Sequence, residues 1–376
     1  MILLKSLAVL ATAFVVAWAV TKVLIPLLQR AGSLDIPNAR SSHDLPTPRG
    51  GGIGIVAGML AGLSTASVLG VQLPTFELFL AGALVALIGF LDDRSGRLSV
   101  GLRLIFQLAA AGIVVFRAGG IAYFPLPRPL DFPTGQLAIP LALIWIVGVT
   151  NFYNFLDGID GFAGLQGAVA GLGVILLGQG SLFICLGFAL TGACAGFLLH
   201  NWHPAKVFMG DVGSGTVGFI LAALPFQLNP AARNDAVFVI GMCLWFFLSD
   251  GVFTILRRLS CGEKIWEAHR SHLYQRLVRA GVQQDRVVLQ VIGATSALAV
   301  LALVAIRFGE SSTRWRVIAT ALGAFAVYYS WVLLRERAFN RRNIPQAGEV
   351  LLDFLDSTDK CQLFLKSTRP PIHDDR

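Results

Sequence analysis

Asn151, Asn154, Asp157 and Asp160 recur at every third position of NFYNFLDGIDGFAG, directly after the apolar run from Ile139 to Val149. On a helix each lies within one turn of the next, and a 3₁₀ winding would align all four. Gly158 and Gly161 weaken a regular helix there, so the backbone is free to open toward a ligand where the apolar run meets water. Acids at the ends of apolar runs recur elsewhere. Asp92 and Asp93 close one in LDDRSGRLSVGLRL, and Asp211 opens another in HNWHPAKVFMGDVGSG. A carboxylate at the bilayer centre costs about 2.5–3.5 kcal/mol, so the repeated placement of Asp157, Asp160 and Asp211 beside glycine indicates a task. Oxygen donors of this kind suit a hard divalent cation, and the two adjacent acids Asp92 and Asp93 point in different directions on a helix. One of them can then face a metal or nucleophile while the other makes structural hydrogen bonds.

Two further segments supply complementary groups. PTPRGGG, Pro46 to Gly52, offers Arg49 and three glycines whose amides could cradle a phosphate, although a tight turn into the next apolar run has the same composition. EAHRSHLYQRL, Glu267 to Leu277, places His269, Arg270 and His272 in the most basic loop, where a guanidinium fork and imidazoles can hold a diphosphate. His43 and Asp44 read as loop residues. Each segment alone also fits a turn, a helix cap or a solvated loop. Together they provide acids for a cation, glycine-exposed amides at the start of a helix and a basic clamp, which is the equipment of phosphoryl transfer.

The elements that must carry these groups are membrane helices. The chain has 376 residues, of which 55% are hydrophobic and 14% charged, and a mean hydropathy of +0.69. That is more apolar surface than one globular core hides. The pattern predicts an all-α, polytopic membrane protein of about eleven spans, each of roughly 20 apolar residues, over residues 1–337, with a cytoplasmic tail over 338–376. Basic residues concentrate in alternate loops, so the positive-inside rule puts the N-terminus outside, the C-terminus in the cytoplasm and every polar segment above on the cytoplasmic side. The net charge of +8 is explained by these loops, and no aromatic-basic interleaving suggests nucleic acid. Met1 to Val20 mimics a signal peptide, but the apolar run continues to Leu28 and an uncleaved first span is simpler. The five cysteines show no paired spacing and read as small hydrophobes or free thiols. The tail mixes apolar and charged residues in a way that fits an interfacial helix or a loosely ordered terminus equally well.

PTPRGGG, DDRSG, NFYNFLDGIDG, PAKVFMGDVGSG and HRSHLYQRL, in that order, resemble the polyprenyl-phosphate N-acetylhexosamine-1-phosphate transferases over about residues 35–280. The resemblance implies a bacterial inner-membrane enzyme with its active site facing the cytoplasm. A UDP-N-acetylhexosamine and undecaprenyl phosphate would give undecaprenyl-diphosphate-sugar and UMP, with Mg²⁺ (or Mn²⁺) as cofactor. By motif position it implies that Asp211 ligates the metal with Asn154 as second ligand, and that Asp92 is the base on the lipid phosphate with Asp93 supporting it. It further implies that Asp157 and Asp160 orient nucleotide and metal water, that Phe208 stacks on uracil, and that His269, Arg270 and His272 bind diphosphate near Arg49. The run His272-Leu273-Tyr274-Gln275 is poorer in histidine than in relatives handling N-acetylglucosamine or making the peptidoglycan precursor. It favours an O-antigen initiator accepting a 6-deoxy N-acetylhexosamine. The reading allows a homodimer and leaves direct attack and an aspartyl-phosphate route open. Competing readings are the peptidoglycan-precursor translocase of the same family, a cation-coupled transporter using Asp157 and Asp160, a lipid diphosphate phosphatase and a noncatalytic membrane scaffold.

Overall fold

A computed structural model describes residues 2–37, 45–96, 98–264 and 269–342. His43, Asp44, Glu267 and the tail beyond 342 lie outside these residues. The helices are α1 (Ile2–Arg30), α2 (Gly52–Val68), α3 (Phe76–Ser95), α4 (Val100–Ala118), α5 (Ala138–Phe155), α6 (Phe162–Leu177), α7 (Gly180–Asn201), α8 (Gly210–Ala223), α9 (Pro230–Cys243), α10 (Trp245–Ser260), α11 (Leu273–Arg279), α12 (Gln284–Phe308) and α13 (Ser311–Arg342). The only sheet among the described residues pairs Leu34 with Pro48 and Asp35 with Thr47.

The chain is an all-α, multi-pass membrane protein. Six helices are long and apolar enough to cross a bilayer, or up to seven if α9 and α10 count as one bent span. The apolar runs read as spans each fall on helix, with one difference. The apolar run over about 236–256, which the sequence predicts as one continuous span, is two helices meeting at Leu244 with a 75° bend. Several others are short: α8 has 14 residues and α6 has 16, below the roughly 20 that a full crossing needs.

Lipid supplies no hydrophobic force between helices, so close packing of small residues holds such a bundle. The pairs α1–α7, α1–α2 and α6–α7 are the most extensive, and they meet at glycines. A Cβ on Gly58 would come to 2.6 Å from Ala13 O, and one on Gly196 would collide with Phe14 O. Cys185, Cys194 and Cys243 are free and buried, as expected of small hydrophobes.

The helix ends fall in two groups. One end of the bundle brings together the starts of α2, α4 and α8 with the ends of α3 and α5. At the other, the buried Arg233 of α9 donates to the carbonyls of Ala118, Gly119, Gly120 and Leu228, closing the C-terminus of α4 against the start of α9. The negative end of a helix accommodates such a cation. Arg233→Met leaves these acceptors without a donor and should cost about 1–3 kcal/mol or more, read as an earlier thermal transition of the purified protein. An unchanged transition would rule out the latch.

Candidate active site

Asp92 and Asp93 sit in the last turn of α3, which Gly96 ends in a left-handed cap at φ +60. Their neighbouring positions send them apart, as the sequence predicts. Asp93 turns to the first turn of α8, where its Oδ1 and Oδ2 accept from the backbone N–H of Asp211 at 2.8 Å and Val212 at 3.0 Å. Asp92 accepts from Leu98 N at 3.2 Å and from Arg103 Nη1 at 3.1 Å. Gly210 is at φ +72, and a side chain on it would collide with the Asp93 carboxylate, so only glycine can open α8 here. Gly89 serves the same approach one turn earlier on α3: a Cβ there would stand 2.6 Å from Asp211 O.

Asp211 is the centre of the arrangement. Its Oδ1 accepts from Arg49 Nη2 at 2.5 Å and its Oδ2 from Arg103 Nη1 at 2.8 Å. Arg49 also reaches Asp93 Oδ1 through Nε at 2.8 Å. Two guanidinium groups thus bridge three carboxylates drawn from two helices. Asn154, at the end of α5, accepts from Ser214 Oγ at 3.2 Å, which holds it beside the Asp211 carboxylate. The atoms that Asp211 and Asn154 could offer a cation are oxygens, and both Asp211 oxygens pair with guanidinium groups in this structure. One or two carboxylates plus substrate phosphate are what Mg²⁺ ordinarily takes, and no group of three or more His, Cys, Asp or Glu side chains forms a metal cage among the described residues.

The amides expected to cradle phosphate are already used. Gly50 and Gly51 donate to Phe208 O and Gly52 donates to Met209 O, so PTPRGGG is a backbone clip onto the segment leading into α8. The α8 amides of Asp211 and Val212 are likewise satisfied by Asp93. What the first segment contributes is the Arg49 side chain. Phe208 is half-buried, its N–H donating to Pro48 O beside Arg49.

The three-residue period of 151–160 is not one helix face. Asn151 and Asn154 end α5, whereas Asp157 and Asp160 lie in the loop before α6, which opens at Gly161 with φ +74. Asp160 is committed elsewhere. Its Oδ2 accepts from Ala205 N at 3.0 Å and pairs with His203 Nδ1 at 2.7 Å. In this arrangement it orders the turn after α7 and does not face the acid cluster. Burial pushes the Asp157 carboxyl up to about 7 against the pull of Arg49, and repulsion from Asp211, Asp93 and Asp160 adds to the shift.

The basic segment also divides. His269 and Arg270 are half-buried, with Ser271 Oγ 2.9 Å from His269 Nδ1. His272 is buried and its Nδ1 lies 3.1 Å from Asp250 Oδ1, so its expected place on the diphosphate is taken by an internal carboxylate. Leu273 and Tyr274 are fully buried and Gln275 nearly so. The run on which the 6-deoxy sugar was read therefore faces the protein interior. Sequence reasoning missed Arg103 as a member of the cluster and Asp250 as the partner of His272. Arg103 had a signal, because it stands inside the same motif as Asp92, but Asp250 is a lone acid in an apolar run with no neighbouring motif.

Asp157 gives a pH test. Its folded value of about 7 stands above the ordinary 3.8, so the unfolded chain releases this proton first and stability falls as pH rises through that window. Without divalent cations, Asp157→Asn should gain thermal stability relative to the unsubstituted protein between about pH 4 and 7 and hold a constant advantage above. Parallel melting profiles across that range would show that Asp157 is not held in this state.

Comparison with known proteins agrees with the geometry. The model of glycosyl transferase family 4 matches residues 75–229, which contain Asp92, Asp93, Asn154, Asp157 and Asp211. The chain is 30% identical to the probable undecaprenyl-phosphate N-acetylglucosaminyl 1-phosphate transferase of Bacillus subtilis, over 81% of this chain and 86% of that protein. It is 31% identical to the decaprenyl-phosphate N-acetylglucosaminephosphotransferase of Mycobacterium leprae, over 76% and 80%. It is 29% identical to the undecaprenyl-phosphate alpha-N-acetylglucosaminyl 1-phosphate transferase of Yersinia pestis, over 80% and 84%. With similarity of this extent spanning both the membrane helices and the acid cluster, the chain belongs to glycosyl transferase family 4.

Proposed function

We propose that the protein transfers N-acetylhexosamine-1-phosphate from a UDP-sugar to undecaprenyl phosphate at the cytoplasmic face of the bacterial inner membrane. The products are undecaprenyl-diphosphate-sugar and UMP, the first lipid-linked unit of a surface polysaccharide such as O-antigen. The names of the relatives support the reaction class. The observation that carries it here is the convergence of Asp92, Asp93 and Asp211 with Arg49 and Arg103 at one end of the bundle.

An oxygen of the lipid phosphate attacks the donor's β-phosphorus, the bond from that phosphorus to the bridging oxygen breaks, and UMP leaves with the electron pair. Asp92 takes the proton of the lipid phosphate. Its carboxylate is oriented for this by Leu98 N and Arg103. Asp93 keeps α8 in place and so fixes Asp211. Asp211 and Asn154 are the residues that would hold Mg²⁺, and a cation bound there would supply neutralisation of the charge that develops on the diphosphate. Arg49 and Arg103 are bidentate-capable cations already at the site, and phosphate oxygens are partners that such forks accept as readily as carboxylates. Arg270 extends the positive field, His269 adds an imidazole beside it, and Phe208 offers a ring for the base.

The test is UMP release by purified protein with a panel of UDP-sugars and undecaprenyl phosphate, with the lipid product weighed by mass spectrometry. Asp211→Asn and Asp92→Asn should each lose at least about 10²- to 10³-fold in rate, as expected for removal of one key electrostatic element. Near-normal turnover of either variant would sink the assignment, and solute accumulation in proteoliposomes without any covalent change would favour a transporter.

A further inference from the structure

Asp250 lies on α10 and its residue is 1% exposed. At the next position α10 rests on α5, because a Cβ on Gly251 would collide with the ring of Phe152. The Asp250 carboxylate is surrounded by donors. Its Oδ1 accepts from Thr254 Oγ1 at 3.0 Å and Leu273 N at 3.0 Å and pairs with His272 Nδ1 at 3.1 Å, while Tyr274 N is 3.4 Å from Oδ2. Three of these four donors come from the start of α11. A buried carboxylate requires such compensation, and an Nδ1–H given to it fixes the orientation of the His272 ring.

What α10 holds, α11 passes on. The His269 ring packs on His272 with centroids 4.9 Å apart. On the other side the Tyr274 hydroxyl donates to Phe155 O at 3.4 Å, and a Cβ on Gly158 would collide with that hydroxyl. The Tyr274 ring also lies 5.2 Å from that of Phe162, at the start of α6. Thus one carboxylate on α10 connects the basic segment at 269–272 with the acidic loop at 157–160.

We propose that Asp250 is a positioning residue for the donor diphosphate: it fixes His272 and the start of α11, and thereby sets the distance between the basic segment and the acidic loop. The proposal rests on the transfer reaction proposed above. Asp250 touches none of the reacting groups, so its loss should weaken ground-state binding more than chemistry.

The experiment compares Asp250→Asn and Tyr274→Phe with the unsubstituted protein by UMP-release kinetics and by amide hydrogen exchange. In Asp250→Asn, KM for the UDP-sugar should rise about tenfold with kcat changed less than about threefold, as expected for a lost charge-assisted hydrogen bond. The amides of Leu273 and Tyr274 should exchange about tenfold faster. Tyr274→Phe should raise KM about two- to threefold while leaving Leu273 protected. A loss confined to kcat, or unchanged KM with unchanged protection, would overturn the proposal. If Asp250→Asn does not assemble, an unchanged KM in Tyr274→Phe overturns it instead. An unsubstituted protein that releases no UMP would refute the transfer reaction, while amide exchange would still decide whether Asp250 holds α11.

Discussion

Three carboxylates placed together where helices emerge from a membrane repel one another and lose hydration. The fold is arranged around the compensation of that charge. Arg49 and Arg103 supply it from two different segments, each contacting Asp211 and one acid of α3. Neither arginine belongs to the helix whose carboxylate it serves. The cluster therefore exists only when the clip before α2, the end of α3, the start of α4 and the start of α8 are assembled together.

Small residues make that assembly possible. Gly52 and Gly213 bring α2 and α8 so close that a Cβ on either would meet the other's Cα. Gly89 lets α3 approach the backbone of Asp211. Without these contacts the charges would be neighbours in sequence pattern and distant in space. The packing that compensates for the absence of a hydrophobic force in lipid is also what sets the geometry of the site.

The amides of the glycine-rich segments illustrate how a polar group's role depends on its partners. A glycine-rich loop with exposed N–H groups binds anions, but in this protein those groups pair with the backbone of the segment leading into α8 and with Asp93. The groups left to meet an anion under the proposed reaction are side chains, namely Arg49, Arg103 and the half-buried His269 and Arg270. Guanidinium groups suit this work because they exchange carboxylate for phosphate without changing their own charge.

The sequence by itself determined the helical class, the membrane setting, the approximate extents of nearly every helix and the candidacy of Asp92, Asp93 and Asp211, though not that Asp160 stands apart from them. Those properties follow from apolar run length and from the cost of a carboxylate near lipid, both of which are local and readable along the chain. The divergence of Asp92 and Asp93 was also legible, because adjacent helix positions must point apart. Tertiary structure alone decided that Asp160 turns to His203, that His272 is buried against Asp250, that Arg103 completes the cluster and that α9 and α10 bend apart at Leu244. Each of these depends on a partner more than ten residues away or on the packing of a neighbouring helix, and one-dimensional spacing contains no information about which distant donor reaches a given oxygen first.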